Sequence, residues 1–277
     1  MKVICDAPGQ TCNRLWTYVA TLSECIAQNK KMVILFFDWT IEDFPNLLNC
    51  KHIYFPLYHK WYLERGNGWN NYKGFTWKST HSKRWNWWFK LFGFIKGWDT
   101  RGDVKYIKET KSELQKIFTP APYITQKADN LFQEIRKQAD IVVGVHIRRG
   151  DYETWCKGRF FYSIQEYYKF MLQVSDLYPD KRVAFFISSN EKINIKDFPS
   201  LNVFLYENNK NAILDLHSLS LCDMIMGPIS TFSRWASFIA KKPICFLNDR
   251  NMVIKKDDFS PMIDFFNFEN GKNTNGW

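Results

Sequence analysis

The sequence predicts an α/β protein built on parallel sheets, and three observations carry that prediction. Between residues 141 and 247, short apolar runs rich in β-branched residues alternate with amphipathic stretches, the sequence form of a doubly wound sheet. The run Ile141-Val142-Val143-Gly144-Val145-His146-Ile147 is almost wholly apolar, as a strand covered on both faces should be, and it stops abruptly at Arg148-Arg149-Gly150-Asp151. At the amino end, a strand-like Lys2 to Cys5, a Gly-containing loop and a helix-like run make the opening of a second βαβ unit.

Taken in order, Lys2 to Cys5 is the first strand and is followed by the loop from Asp6 to Leu15. A helix through Trp16, Val19, Ala20, Leu22, Ile26 and Ala27 comes next, then a strand from Lys31 to Phe37 that ends at Asp38. The stretch from Trp61 to Trp98 is different in kind. It holds seven tryptophans and seven Lys or Arg against one carboxylate, Glu64. Three readings fit it: an insertion whose indoles pack as a satellite core, a platform on which sugar rings stack, or, around Lys83 to Lys96, a patch that meets an anionic membrane surface.

Beyond Pro120 and Pro122 a helix is expected from Thr125 to Ala139, with Ala128, Leu131, Phe132 and Ile135 on one stripe. The domain boundary is placed at its end, giving domains 1–138, which carries the Trp-rich insertion, and 139–277. The second domain then reads as strand 141–147, helix 163–177, strand 182–187, strand 202–205, helix 212–221, strand 224–226, helix 232–240 and strand 243–247. From Asp257 the tail is expected to fray beyond an apolar patch at Phe265, Phe266 and Phe268.

Composition narrows the partners. Lys and Arg total 38 against 28 Asp and Glu, a net charge of +10 that favours anionic ligands. The seven scattered cysteines form no Cys-x-x-Cys pair, which argues against a structural zinc site and for a reducing compartment. With a strand starting at Lys2 and no apolar run long enough to span a bilayer, the expectation is a cytoplasmic protein, with peripheral contact at the inner membrane face as an option.

The residues that carry chemistry sit at strand ends. In open α/β sheets ligands bind beyond the carboxyl ends of the strands. Adjacent guanidiniums there suit a phosphate, which each can grip through parallel charge-assisted hydrogen bonds of about 1.5–3 kcal/mol. The plain alternative is a solvated turn with both arginines paired to surface carboxylates. Two further strand ends present Ser188-Ser189-Asn190 and Gly227-Pro228-Ile229-Ser230-Thr231. Ser230 or Thr231 should cap the helix that begins near Phe232, and free N–H groups at such a start carry about half a positive charge. If the three strands are neighbours, the three loops face one crevice.

His146-Ile147-Arg148-Arg149-Gly150-Asp151-Tyr152 resembles the His-x-Arg-Arg-x-Asp motif of fucosyltransferases, most closely the α-1,2-fucosyltransferase family. Asp215 to Cys222 is similar to that family's Asp-x-x-x-Leu-x-x-Cys block, Ser230-Thr231-Phe232-Ser233-Arg234-Trp235-Ala236 to its Thr-Phe-x-x-Trp-Ala block, and Phe185 to Asn190 to its strand ending in Ser-Asp or Ser-Asn. The loop at Gly9 and Asn13 resembles its Gly-x-x-Gly-Asn-Gln segment, with Cys12 for the second glycine and Arg14 for the glutamine.

The resemblance implies a GT-B-like fold, two Rossmann-type domains with parallel sheets facing a central cleft, the first serving the acceptor and the second the donor. It implies an inverting, metal-independent transfer of L-fucose from GDP-fucose to a glycan hydroxyl, galactose O2 above all. Arg149 and Arg148 would stabilise the departing GDP, Arg149 being favoured for the β-phosphate; Ser230 and Thr231 would bind the same diphosphate, and Phe232 would be part of the donor site. His146, Ser189, Asn190 and Asp215 would lie around the nucleotide, and Gly9 and Asn13 on the acceptor side. Asp151 is the carboxylate nearest the arginines, as base or as orienting group, with Glu153, Asp6 and Asp38 as rivals. No cofactor, metal or nucleic acid is expected, and the acceptor is an oligosaccharide or a lipid-linked glycan. The competing functions are a GT-B transferase using another nucleotide sugar, and a non-enzymatic glycan- or nucleic-acid-binding protein built on the basic aromatic stretch.

Overall fold

The computed structural model describes residues 2–4, 9–34, 39–55, 94–95, 104–207, 211–272 and 274. The Trp-rich stretch 61–98, apart from residues 94–95, lies outside them, as do Asp6, Asp38 and the far end of the strand expected at 31–37. The chain divides into two compact units, Met1–Ala121 and Pro122–Trp277.

In the first unit, β1 (Lys2–Ile4) leads through a loop into α1 (Thr11–Ala27), β2 (Met32–Ile34), the short α2 (Pro45–Leu48), β3 (Ile53–Tyr54), β4 (Phe94–Ile95), α3 (Val104–Glu109) and α4 (Lys111–Ile117). The four strands form a parallel sheet in the order β3-β2-β1-β4. Helix α1 starts at Thr11, five residues before the expected Trp16. Cys12, Leu15, Trp16 and Val19 fall at helical spacing and all four are buried, so the apolar stripe extends back through the supposed loop.

The second unit opens with α5 (Pro122–Gln138), followed by β5 (Ile141–Ile147), α6 (Ile164–Asp176), β6 (Val183–Ser189), β7 (Asn202–Phe204), α7 (Ala212–Leu221), β8 (Met224–Gly227), α8 (Thr231–Ala240), β9 (Pro243–Phe246) and β10 (Ser260–Pro261). The boundary thus falls at 121/122 and not at 138/139. The stripe Ile124, Ala128, Phe132 and Ile135 of α5 is buried, and this helix packs against α7 and β5, where Phe132 meets Phe186 of β6 with ring centroids 5.7 Å apart.

The sheet order is β10-β9-β8-β5-β6-β7, parallel except for the edge strand β10. From β5 the chain moves outward to β6 and β7, then returns to the other side of β5 as β8. The order therefore reverses between β5 and β8, which is where a doubly wound sheet opens its ligand crevice. Helix starts are fixed locally. Ser163 and Glu166 form a reciprocal capping box on α6, and the Asn211 side chain accepts the N–H groups of Ile213 and Leu214 on α7.

The tail keeps contacts past Phe268, where fraying is expected to begin, at Lys272 and Thr274, while residues 273 and 275–277 lie outside the described residues. A 3-10 turn at Lys256–Asp258 leads into β10, Met262 bridges Phe268, and Asp264 accepts the N–H groups of Phe266 and Asn267. The reason is a buried cation: Arg234 of α8 is fully buried between the rings of Phe246 and Phe265 and donates to the Phe265 carbonyl and the Thr274 hydroxyl. That cation–aromatic stack clamps the tail onto the sheet. Among the described residues, no helix is long and apolar enough to cross a membrane.

Candidate functional site

Strand β5 delivers its polar residues at the reversal of strand order. Its partners hold the register: His146 lies opposite Ser188 and Ile147 opposite Ser189 on β6, while Val145 lies opposite Met226 on β8. The three strand ends are therefore neighbours, and the three loops do share one edge.

The Asn190 amide oxygen accepts the Arg149 N–H at 2.9 Å and its amide nitrogen donates to the Arg149 carbonyl at 3.1 Å, which fixes the β5 loop against the β6 loop. Gly150 then turns with φ +63°, a conformation that side chains rarely adopt. The Arg149 guanidinium lies 4.6 Å from the Phe161 ring centroid, donates from Nε to Glu191 at 2.9 Å and from an outer nitrogen to the Tyr162 carbonyl at 3.0 Å. Arg148 pairs with Asp151 at 2.9 Å, beside the Tyr152 ring, and its N–H is held by the Tyr167 hydroxyl at 3.3 Å. Both guanidiniums are mostly covered, at 19% and 22% side-chain exposure, yet reach solvent, so each is positioned without being sealed off.

The β8 loop lies on the other side of β5. Ser230 is the N-cap of α8: its hydroxyl oxygen accepts the Phe232 N–H at 3.2 Å, and Thr231 is the first helical residue. The Tyr152 hydroxyl donates to the Ile229 carbonyl at 2.6 Å, a buried bond that ties the arginine loop to the capped helix start. Burial pushes the Tyr152 hydroxyl pKa up to about 12, with the Ser230 side chain beside it opposing the rise. A Tyr152→Phe substitution leaves the Ile229 carbonyl without its donor, so unfolding in denaturant is expected to show a loss of about 1–3 kcal/mol.

His146 stacks on Phe232 with ring centroids 5.0 Å apart, and its Nδ1 has no hydrogen-bond partner among the described residues. Burial first, and Arg148 second, lower its pKa from 6.5 to about 3. The folded protein thus keeps this imidazole neutral where the unfolded chain binds a proton. Its contribution to stability is complete above pH 6.5 and declines as pH falls toward 3. Thermal unfolding followed from pH 7 to pH 4 should show a steeper loss for the wild type than for His146→Phe.

The remaining sequence-predicted residues are placed as follows. Ser189 ends β6 and accepts the Glu191 N–H at 3.1 Å. Asp215 stands in the first turn of α7, close enough to help raise the Tyr206 pKa, after burial and against the Ser218 hydrogen bond. Glu153 is exposed in the 3-10 turn after Arg149. Gly9 and Asn13 belong to the first unit and touch each other: Gly9 has φ +56° and a Cβ there would lie 2.1 Å from the Asn13 amide nitrogen. The Gly9 carbonyl also accepts the guanidinium of the buried Arg14 at 2.8 Å.

Sequence reasoning missed Glu191, Tyr152, Tyr162 and Phe161, which hold the arginines. Only Glu191 and Tyr152 carried a signal, as immediate neighbours of Asn190 and Asp151. Among the described residues, no group of three or more His, Cys, Asp or Glu is arranged to hold a metal ion.

A reversal point carrying two positioned guanidiniums and a capped helix start defines an α/β domain with an edge suited to an anionic ligand. Structures of fucosyltransferases share the fold. The NodZ alpha-1,6-fucosyltransferase soaked with GDP-fucose, an enzyme from Bradyrhizobium, superposes with a TM-score of 0.57 at 15% identity over 89% of this chain and 94% of its own. POFUT1 in complex with GDP-fucose gives 0.54 at 11% over 89% and 97%, and a mutant of Arabidopsis thaliana FUT1 in complex with GDP gives 0.53 at 11% over 95% and 74%. No curated protein sequence matches the chain. The profile of Glycosyl transferase family 11 matches residues 105–259, more than half of the chain. The protein belongs to glycosyl transferase family 11, the family its motifs resemble, and its parallel-sheet α/β architecture is GT-B-like.

Proposed function

We propose that the chain transfers L-fucose from GDP-fucose to a glycan hydroxyl, galactose O2, with inversion to an α-1,2 linkage. The observation that carries this reading is the Tyr152–Ile229 hydrogen bond, which ties the loop of Arg148 and Arg149 to the Ser230-capped start of α8 at one reversal of strand order in a family 11 chain. GDP and GDP-fucose bound to proteins of the same fold support the choice of nucleotide.

In this mechanism the bond between the anomeric carbon and the β-phosphate oxygen breaks as the acceptor hydroxyl attacks from the opposite face. The two guanidiniums and the helix start take up the charge of the departing diphosphate, so no metal is required. His146 and Phe232 line the nucleotide beside them, with Ser189, Asn190 and Asp215 around it. Asp151 holds Arg148 in place and is the proposed acceptor of the hydroxyl proton. The acceptor is an oligosaccharide or a lipid-linked glycan reached from the cytoplasm. In the second case residues 83–96 supply contact with anionic membrane, which co-sedimentation with anionic liposomes at low salt would reveal.

The test is a mass-spectrometric transfer assay with GDP-fucose against galactose-terminated oligosaccharides. Addition of one fucose to the terminal galactose is expected, and transfer from another nucleotide sugar alone would overturn the reading. A thermal-shift ranking of GDP above UDP and CDP is the companion expectation.

A further inference from the structure

The second unit contains a cavity of about 360 Å³ that the proposed diphosphate contacts do not use. It lies at the carboxyl ends of β8 and β9, roofed by the clamped tail. Its size falls in the lower part of the range typical of small-ligand pockets, about 300–1,000 Å³. Ile229, the residue before the N-cap Ser230, forms part of its wall, so it adjoins the crevice at the reversal point. Arg148, Arg149, Ser230 and Thr231 do not line it.

Its chemistry is that of a saccharide site. Phe268 supplies an aromatic surface, held with its ring centroid 5.8 Å from that of Phe246, and apolar ring faces pack against the C–H faces of sugars. Around it stand groups that suit hydroxyls: the Asp258 carboxylate, the Asn248 amide and the Arg159 guanidinium. Asn248 and Arg159 are exposed, and among the described residues neither side chain has a hydrogen bond or ion pair to the protein; Arg159 only lies over the Phe160 ring at 5.0 Å. Their donors are thus available to a ligand. Both polar and apolar surfaces are present, as an amphipathic sugar ring requires and as a purely apolar guest does not.

We propose that this cavity is a subsite for a sugar residue of the acceptor glycan, next to the one that receives the transferred group. The proposal rests on the glycosyl-transfer reading. A donor sugar hangs directly from the diphosphate and would be framed by the groups that hold it. The cavity is one residue removed from those groups, the place for a ring further along the acceptor. It makes the enzyme selective for acceptors that extend beyond a single sugar.

The decisive variants are Asn248→Ala and Arg159→Ala, singly and together, since both side chains are exposed and neither makes a hydrogen bond or ion pair among the described residues. Calorimetric titration of the wild type with galactose-terminated tri- and tetrasaccharides is compared with methyl galactoside, alongside GDP-induced thermal shift. The double variant is expected to bind the longer saccharides at least tenfold more weakly, with methyl galactoside affinity and the GDP shift unchanged. In the transfer assay KM for the long acceptor rises while kcat and the donor KM stay within twofold. Unchanged affinity for the long saccharides would overturn the subsite, and so would an equal loss of GDP binding, which would assign the cavity to the donor. If the wild type shows no GDP shift but the saccharide titration still depends on Asn248 and Arg159, the donor reading fails and the sugar subsite stands.

Discussion

Arg149→Ala is expected to lower kcat for transfer by about 100- to 1,000-fold while the protein stays folded. Removing one preorganised charge-stabilising group from a transfer site costs about 2.7–4 kcal/mol of transition-state stabilisation. The structure shows why the loss should be catalytic. The guanidinium is steered by Glu191, the Tyr162 carbonyl and the Phe161 ring, all on the loops that follow β5 and β6. Its ion pair with a carboxylate at 40% exposure adds only about 0–1 kcal/mol to stability. The variant should therefore unfold near the wild-type temperature and lose most of its GDP-induced shift. Arg149→Lys is expected to recover little, because an ammonium cannot hold Glu191, the Tyr162 carbonyl and a phosphate in one planar fork. Wild-type kcat in a folded Arg149→Ala protein would remove this residue from the transfer step.

Gly227→Ala is expected to destabilise the second unit by about 1–3 kcal/mol and to abolish nucleotide binding along with it. A Cβ at this position would lie 2.6 Å from the His146 carbonyl oxygen and 3.0 Å from its Cβ. The first of these is backbone of a neighbouring strand, which can yield only if β8 moves away from β5. That movement would separate the Tyr152 hydroxyl from the Ile229 carbonyl and so loosen the start of α8 from the loop that carries the arginines. Denaturant unfolding and a GDP thermal shift measured on the same sample read both consequences. A variant as stable as the wild type that still binds GDP would show that the close approach of the two strands is dispensable.

The local features of the site were legible because they are written in contiguous residues. An almost wholly apolar run ending in two arginines marked β5, and a serine before an amphipathic stretch marked the start of α8. The adjacency of β5, β6 and β8 stayed a condition in the sequence, since the alternation of strands and helices fixes a parallel sheet but not its strand order, which the structure supplies. What stayed hidden depends on contacts across the chain. Arg234 and Phe265 are 31 residues apart, and only their stacking reveals that the tail is part of the fold. The Asn- and Gly-containing end beyond Phe268 pointed to fraying, because the residue that holds Thr274, Arg234, lies 40 residues earlier in the chain. The start of α1 was lost in a similar way: Gly9 and Asn13 read as a loop, while burial of Cys12 and Leu15 carries the helix back to Thr11. The grip of Glu191 and Tyr162 on Arg149 joins segments 42 and 13 residues away, and only the position of Glu191 beside Asn190 hints at it.

The most direct measurement is a crystal structure of the protein with GDP. The expected result is a diphosphate with its oxygens within hydrogen-bond reach of the Arg149 or Arg148 guanidinium and, in the same molecule, of the Ser230 and Thr231 groups at the start of α8. A diphosphate bound away from either set would contradict the shared site on which the proposed transfer depends.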